Sequence, residues 1–190
     1  MPLDLPLAFV TERLQLRLHQ SGDLHDLANL LTDRDLARGL PGHGLYETRD
    51  EVAAWLEEAI SSYATEAPRF SYTIALKDDP EHVLGQAVLE PKPEPERTWV
   101  AGVSLLPGAR GHGYGREAAR AIVAHAFGSL HARSVDAVVF MEDKAAVRTA
   151  ERLGLEDREP AERSGPTARL WRTFHTPGPR PPRRRRGSTR

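Results

Sequence analysis

The sequence predicts a mixed α/β domain, and three observations carry that expectation. Residues 99–106 are rich in β-branched, aromatic and apolar side chains and stop at Pro107-Gly108, which reads as a strand. A turn with Gly111, Gly113 and Gly115 follows, and then Ala119, Ile122, Val123, Ala126 and Phe127 recur at i, i+3, i+4, i+7 and i+8. That is one apolar helix face, closed at Gly128. Stretches of period two and of period 3.6 also alternate along the rest of the chain. Finally, 190 residues, 39% hydrophobic and 28% charged, suit one globular domain with a substantial core.

In chain order, residues 12–19 alternate Leu14, Leu16 and Leu18 with polar partners, a half-buried strand. Residues 21–23 form a turn, and Asp23 is placed to N-cap a helix carrying Leu24, Leu27, Leu30 and Leu31. Residues 39–46 read as a loop. Thr48 and Glu51 make a capping box for a second helix with Val52, Trp55, Leu56 and Ala59 on one face. Residues 70–77 and 83–89 read as a hairpin around 78–82, and Pro91, Pro93 and Pro95 break the chain before the central strand. Residues 134–140 are a further strand. Val147, Ala150 and Leu153 line a short helix ended by Gly154, and residues 155–161 and 169–174 form a closing pair of strands.

Composition narrows the function classes. The chain has no cysteine, which excludes a disulfide framework, a thiolate nucleophile and a cysteine metal site. The start, MPLDLPLAFVTERL, lacks a basic n-region and an apolar core, and no apolar run approaches the ~18 residues of a membrane span. A cytoplasmic location is expected. The net charge of −1 hides an asymmetry: six of the 26 basic residues lie in residues 176–190, leaving 20 against 27 acidic ones elsewhere. The tail, TPGPRPPRRRRGSTR, has no core-forming pattern and is expected to be disordered, with residues 1–175 as the domain. Its arginines suit RNA or ribosome phosphates, or serve only as a solubilising terminus. The eight histidines show no metal-ligand spacing, so no metal is expected.

The glycine-rich turn points to anion binding. Amides at a helix start have no intrahelical partner, the helix dipole adds positive charge there, and glycines leave the backbone open to oxygen atoms. Arg110 and Arg116 flank the turn, and His112 and Tyr114 lie within it. A pyrophosphate is the natural guest. A dinucleotide-binding G-x-G-x-x-G fails because Arg116 stands where the third glycine belongs, and the G-x-x-x-x-G-K-[ST] loop is excluded because no Lys-Ser or Lys-Thr follows. R-x-x-G-x-G is met by Arg110, Gly113 and Gly115. An ordinary strand-to-helix turn is the alternative without function.

On those residues the chain resembles the GNAT superfamily of acyl-CoA N-acyltransferases, and the element order extends the resemblance over most of residues 11–174. It is most similar to the Rim-type group of ribosomal-protein N-terminal acetyltransferases, through TERLQLRLHQSGDLHDL, LPGHGLYETRDEVAAWL, LLPGARGHGYGREAARAIVAHAF and AAVRTAERLGL. The resemblance implies a central, mostly antiparallel mixed sheet flanked by helices and splayed where acyl-CoA binds. It implies that Arg110, Gly111, His112, Gly113, Tyr114, Gly115 and Arg116 hold the coenzyme A pyrophosphate. Backbone amides of Val103, Ser104 and Leu105 would bind the pantetheine and polarise the thioester. Where the group has N-x-x-S-x-R-V, this chain has Asp143, Ala146 and Arg148. Asp143 thus takes a coenzyme-contacting position, while Ala146 removes the serine proposed in some relatives to protonate the leaving thiolate.

Acyl transfer to an amine needs a neutral nucleophile, donors for the oxyanion and a proton for the thiolate. Glu90, at the end of the strand beside the central one, is the expected general base, with Glu162 second and Tyr114 a candidate acid. His43 and Tyr46 are candidates for acceptor specificity. The expected activity is acetyl transfer from acetyl-CoA to a primary amine, a protein N-terminus or a small molecule, in a ternary complex. The competing expectation is a noncatalytic acyl-CoA-binding or RNA-associated module.

Overall fold

The computed structural model describes residues 8–42, 46–65, 69–161 and 167–174. Eight strands form one sheet: β1 (Ala8–Val10), β2 (Leu14–Leu18), β3 (Phe70–Leu76), β4 (Val83–Lys92), β5 (Thr98–Leu105), β6 (Ser134–Phe140), β7 (Glu156–Pro160) and β8 (Ala168–Phe174). Their order is β1-β2-β3-β4-β5-β6-β8-β7, and only β5 and β6 run parallel. That pair needs a crossover, which α4 (Tyr114–Gly128) supplies. Between β2 and β3 lie α1 (Leu24–Leu31), α2 (Arg34–Ala37) and α3 (Arg49–Ser62), and α5 (Lys144–Arg152) lies between β6 and β7. This is the splayed, mostly antiparallel mixed sheet expected.

Strand alternation divides the core. Ala87 and Leu89 of β4 pack with Trp99, Ala101, Leu105 and the α4 residues Ala118, Ile122 and Ala126. Val88 points the other way, into the cluster of α1, α2 and α3 with Leu27, Leu31, Leu36, Trp55 and Ala59. The capping box of α3 is present: the Thr48 hydroxyl accepts from the Glu51 amide, and Glu51 accepts from the Thr48 amide. Gly154 ends α5 with φ +73°, the left-handed conformation that glycine adopts freely.

Two expectations are corrected. Asp23 precedes α1 but does not cap it with its side chain. Its buried carboxylate takes a two-pronged bond from Arg17, at 2.8 and 2.7 Å, and further bonds from the Gln20 amide and the Thr73 hydroxyl. Burial pushes the Asp23 carboxyl up, but these donors outweigh it and leave its pKa lowered. Pro93 and Pro95 lie in the break between β4 and β5 as expected, but Pro91 does not, because β4 continues through it to Lys92. Proline is tolerated there because the β3 ladder has already stopped at Phe70 opposite Leu89, so Pro91 has a strand on one side only. Ahead of the loop at 39–46 stands the short helix α2, to which the sequence reading assigned nothing; it is capped by Asp33, whose carboxylate accepts from the Asp35 and Leu36 amides. The tail, residues 176–190, lies outside the described residues.

Candidate active site

The central opening of the sheet follows from the pairing of β5. On one side β4 accompanies it from Thr98 to Leu105. On the other side β6 pairs only at Thr98, Trp99 and Val100, opposite Ser134, Val135 and Asp136. Past that row β6 stays with β8 as far as Phe140, so residues 101–105 of β5 face a wedge. Val103, Ser104 and Leu105 all lie in this stretch. The Ser104 side chain is itself committed, donating to the Leu36 carbonyl at 2.6 Å, and its backbone faces β4, as that of Leu106 does in donating to the Leu84 carbonyl, so the backbone groups on the free edge are those of Val103 and Leu105.

At the open end of the wedge, β5 runs into a 3₁₀ turn (Pro107–Ala109) and then the glycine-rich loop. Gly111 and Gly113 have φ +83° and +82°, which only glycine adopts without strain. A Cβ at Gly111 would meet nothing within 4 Å, and one at Gly113 would meet only Arg13 Nη2 at 3.5 Å. The loop is therefore open as well as left-handed. Gly113 is the N-cap of α4, and its carbonyl accepts the first helical bond, from the Glu117 amide at 3.2 Å. The amides of Tyr114, Gly115 and Arg116 precede that bond and lack intrahelical acceptors. Arg110 folds back to donate from Nε to the Leu105 carbonyl at 3.1 Å, and His112 stacks on Tyr114 with ring centroids 5.6 Å apart.

The opposite face of β5 is crossed by residues 39–42. A Cβ at Gly102 would collide with Pro41 Cδ and stand 2.7 Å from the Gly39 carbonyl oxygen. Beyond Gly102, Gly42 has φ +68°, and its Cβ position is 3.0 Å from Cδ and both oxygens of Glu90. Glu90 is exposed and pairs in register with Val100, the residue that pairs with Asp136. The carboxylate thus stands in the row where the wedge begins. On the far side of the opening, Arg38 follows α2, lays its guanidinium 4.0 Å above the Phe140 ring and pairs with Glu142 at 3.1 Å. Bonds from Thr167, and the nearby Arg38, hold the Glu142 carboxyl below its ordinary range.

A glycine loop at one end of a wedge in the sheet is the arrangement that the resemblance implies. The family description "Acetyltransferase (GNAT) domain" matches residues 13–156. The chain belongs to the GNAT acetyltransferase family. No curated protein matches it. Solved GNAT structures share the fold. An acetyltransferase from Agrobacterium tumefaciens is similar at 23% identity and TM-score 0.70, over 90% of this chain and 96% of that one. The ribosomal-protein-S5-alanine acetyltransferase from Vibrio fischeri is similar at 18% and 0.70, over 89% and 97%. The spermidine N-acetyltransferase from Vibrio cholerae, solved with CoA and spermine, is similar at 20% and 0.68, over 85% and 94%.

Other sequence candidates fall in different places within this GNAT domain. Asp143 is the N-cap of α5, and its Oδ1 accepts from the Ala145 and Ala146 amides at 3.0 and 2.9 Å. Ala146 is half-buried against the cluster of Val139, Ala150 and Trp171. Tyr46 packs at the edge of the α1–α3 cluster, 6.2 Å from Trp55, and burial pushes its phenol up. Arg116 is exposed on the first turn of α4. His43 and Glu162 lie outside the described residues. A buried His19 bonds Ser71 and Thr73, but all three are nearly inaccessible, so this trio packs the sheet and meets no substrate.

Sequence reasoning missed Arg13, Arg38 and Glu142. Arg13 lay inside a quoted motif, TERL, yet its partner Glu117 is far along the chain. Arg38 and Glu142 carry no local signal at all. Among the described residues no helix is long and apolar enough to cross a membrane, and no cluster of His, Asp and Glu is arranged to hold a metal.

Proposed function

We propose that the protein moves an acetyl group from acetyl-CoA to a primary amine, by direct attack within a ternary complex. The observation that carries this reading is the wedge between β5 and β6, with the glycine loop at its foot and Glu90 at its apex. In this reading the residues 110–116 hold the pyrophosphate through bare amides and the flanking arginines. The free edge of β5 at Val103 and Leu105 receives the pantetheine and donates to the thioester oxygen, stabilising the oxyanion as it forms. Glu90 takes a proton from the incoming ammonium, directly or through water. The amine nitrogen then bonds to the carbonyl carbon and gives its second proton to water, the carbon–sulfur bond breaks, and the thiolate leaves, taking a proton from water or from Tyr114. Asp143 supports the site from the start of α5.

The acceptor is proposed to be a protein N-terminal α-amino group, as in the Rim-type group. The likeness to the Vibrio fischeri enzyme named for ribosomal protein S5 alanine supports this, and the likeness to a spermidine acetyltransferase makes polyamines the comparison class. Residues 1–175 form the catalytic domain, and the arginine-rich residues 176–190 contact RNA or ribosome phosphates. The protein is placed in the cytoplasm, where such acceptors are made.

The test is thiol release from acetyl-CoA with short peptides bearing free N-termini, the same peptides with blocked N-termini, and polyamines. Release that requires a free α-amino group, with the acetylated peptide found by mass spectrometry, supports the reading. Coenzyme A binding by calorimetry without thiol release from any amine would leave a noncatalytic acyl-CoA-binding module instead.

A further inference from the structure

We infer that Arg13 is the positioning residue of the phosphate loop, fixing the loop's carbonyl and cancelling a carboxylate that would otherwise repel the coenzyme. The inference rests on the assignment of that loop to coenzyme A.

Arg13 precedes β2, and its guanidinium uses all three nitrogens, one on the loop and two on Glu117 of α4. Nε and Nη2 bond Glu117 Oε2 at 2.8 and 2.7 Å, and Nη1 donates to the His112 carbonyl at 2.9 Å. The guanidinium also lies 4.8 Å from the centroid of the Tyr114 ring. The other oxygen of Glu117 accepts from the Thr11 hydroxyl at 2.5 Å and from the Arg13 amide at 2.9 Å. Glu117 therefore receives four donors, three of them from one residue. Partial burial pushes its carboxyl up, and those bonds outweigh the burial and hold it below its ordinary range.

Two physical consequences follow. His112 sits between the two left-handed glycines, and a free carbonyl there would have many orientations open to it. The bond to Nη1 directs that carbonyl to Arg13, so its negative end is kept off the anion path. The second consequence is electrostatic. Glu117 stands in the first turn of α4, where a carboxylate benefits from the same positive helix end that an incoming pyrophosphate needs. Left alone it would compete with the ligand and repel it. Paired to Arg13 its charge is offset, with Nε and Nη2 both bonding Oε2. A role in stability alone would require the Glu117 pair but would not predict how anion affinity depends on the charge at 117.

The experiment measures binding of coenzyme A and of inorganic pyrophosphate by calorimetry, with a melting curve for each protein. The unaltered full chain is compared with Arg13→Gln, Arg13→Lys and Arg13→Gln combined with Glu117→Gln. Arg13→Gln is expected to weaken both ligands roughly tenfold, since it exposes a like charge beside the anion. The double variant is expected to recover most of that loss, because the exposed charge is gone, and Arg13→Lys to fall between. In turnover assays the loss should appear in KM for acetyl-CoA and leave kcat nearly unchanged. Unchanged affinity in Arg13→Gln, or a double variant that binds no better than the single one, overturns the inference. If Arg13→Gln does not fold, Arg13→Lys carries the test, and full affinity in it overturns the inference. An unaltered chain that binds neither probe removes the loop assignment and the inference together; binding indifferent to Arg13 removes the inference alone.

Discussion

Glu90 and Gly42 stand so close that a Cβ on the glycine would lie 3.0 Å from both carboxylate oxygens. The contact sets a strand residue against the loop that crosses β5, and it leaves Glu90 exposed. Glu90→Gln keeps the size and removes the carboxylate proposed as the base. Turnover with a good acceptor is expected to fall by about 10²-fold, the lower end for lost general-base help, while coenzyme A affinity stays the same. The check is kcat against pH with the dissociation constant of coenzyme A measured alongside. An unaltered kcat–pH profile would show that the amine reaches the thioester neutral without Glu90.

Arg38 bridges the two lips of the wedge, from the end of α2 to Phe140 and Glu142. Exposed ion pairs and cation–π contacts each contribute only about 1 kcal/mol or less, so Arg38→Ala should melt within a few degrees of the unaltered chain. The expected effect is on the acceptor: its KM should change severalfold while KM for acetyl-CoA does not. Steady-state kinetics with each substrate varied in turn would separate the two.

Two glycine substitutions should act with opposite sign. Gly102→Ala places a methyl group against Pro41 and the Gly39 carbonyl, and overpacking of this kind costs roughly 1–3 kcal/mol. Gly128→Ala, at the end of α4 with nothing within 4 Å of its Cβ position, should stabilise by about 0.5 kcal/mol through the unfolded chain and helix propensity. Denaturant melts of both variants test the pair. Equal stability would mean that residues 39–42 move aside without loss.

Stability should also fall between pH 6.5 and 4 because of His125. Burial lowers its pKa from 6.5 to about 4, and its Nε2 has no hydrogen-bond partner among the described residues. The unfolded chain takes up a proton as pH drops below 6.5, and the folded protein does not until about 4. The stabilising contribution is complete above 6.5 and is lost on the way down to about 4, up to about 3 kcal/mol in all. In His125→Phe, which keeps a ring against Phe9, the pH slope in that window should flatten. Chemical denaturation at pH 7, 6, 5 and 4 gives the comparison, and a slope unchanged by the substitution would refute the assignment.

Much of the fold was legible because its signals are local. The Thr48–Glu51 capping box, the apolar face of α4 and the limits of β6 all depend on residues a few positions apart, and all were found. The short helix α2 was missed because a four-residue helix has no period to read. Asp23 has a capping residue's identity and position, yet the buried Arg17 offers its carboxylate two charged donors, which outweigh amides at a helix start.

By itself the sequence determined the order of the longer strands and helices, the bare glycine loop before α4 and the family to which the chain belongs. Each depends on side-chain periodicity or backbone freedom over a short span, which the chain carries wherever it folds. Tertiary structure decided where β6 leaves β5, which loop crosses Gly102, and that Arg13 meets Glu117 across the molecule. These depend on how strands and helices close on one another over long separations, and no local spacing encodes that closure.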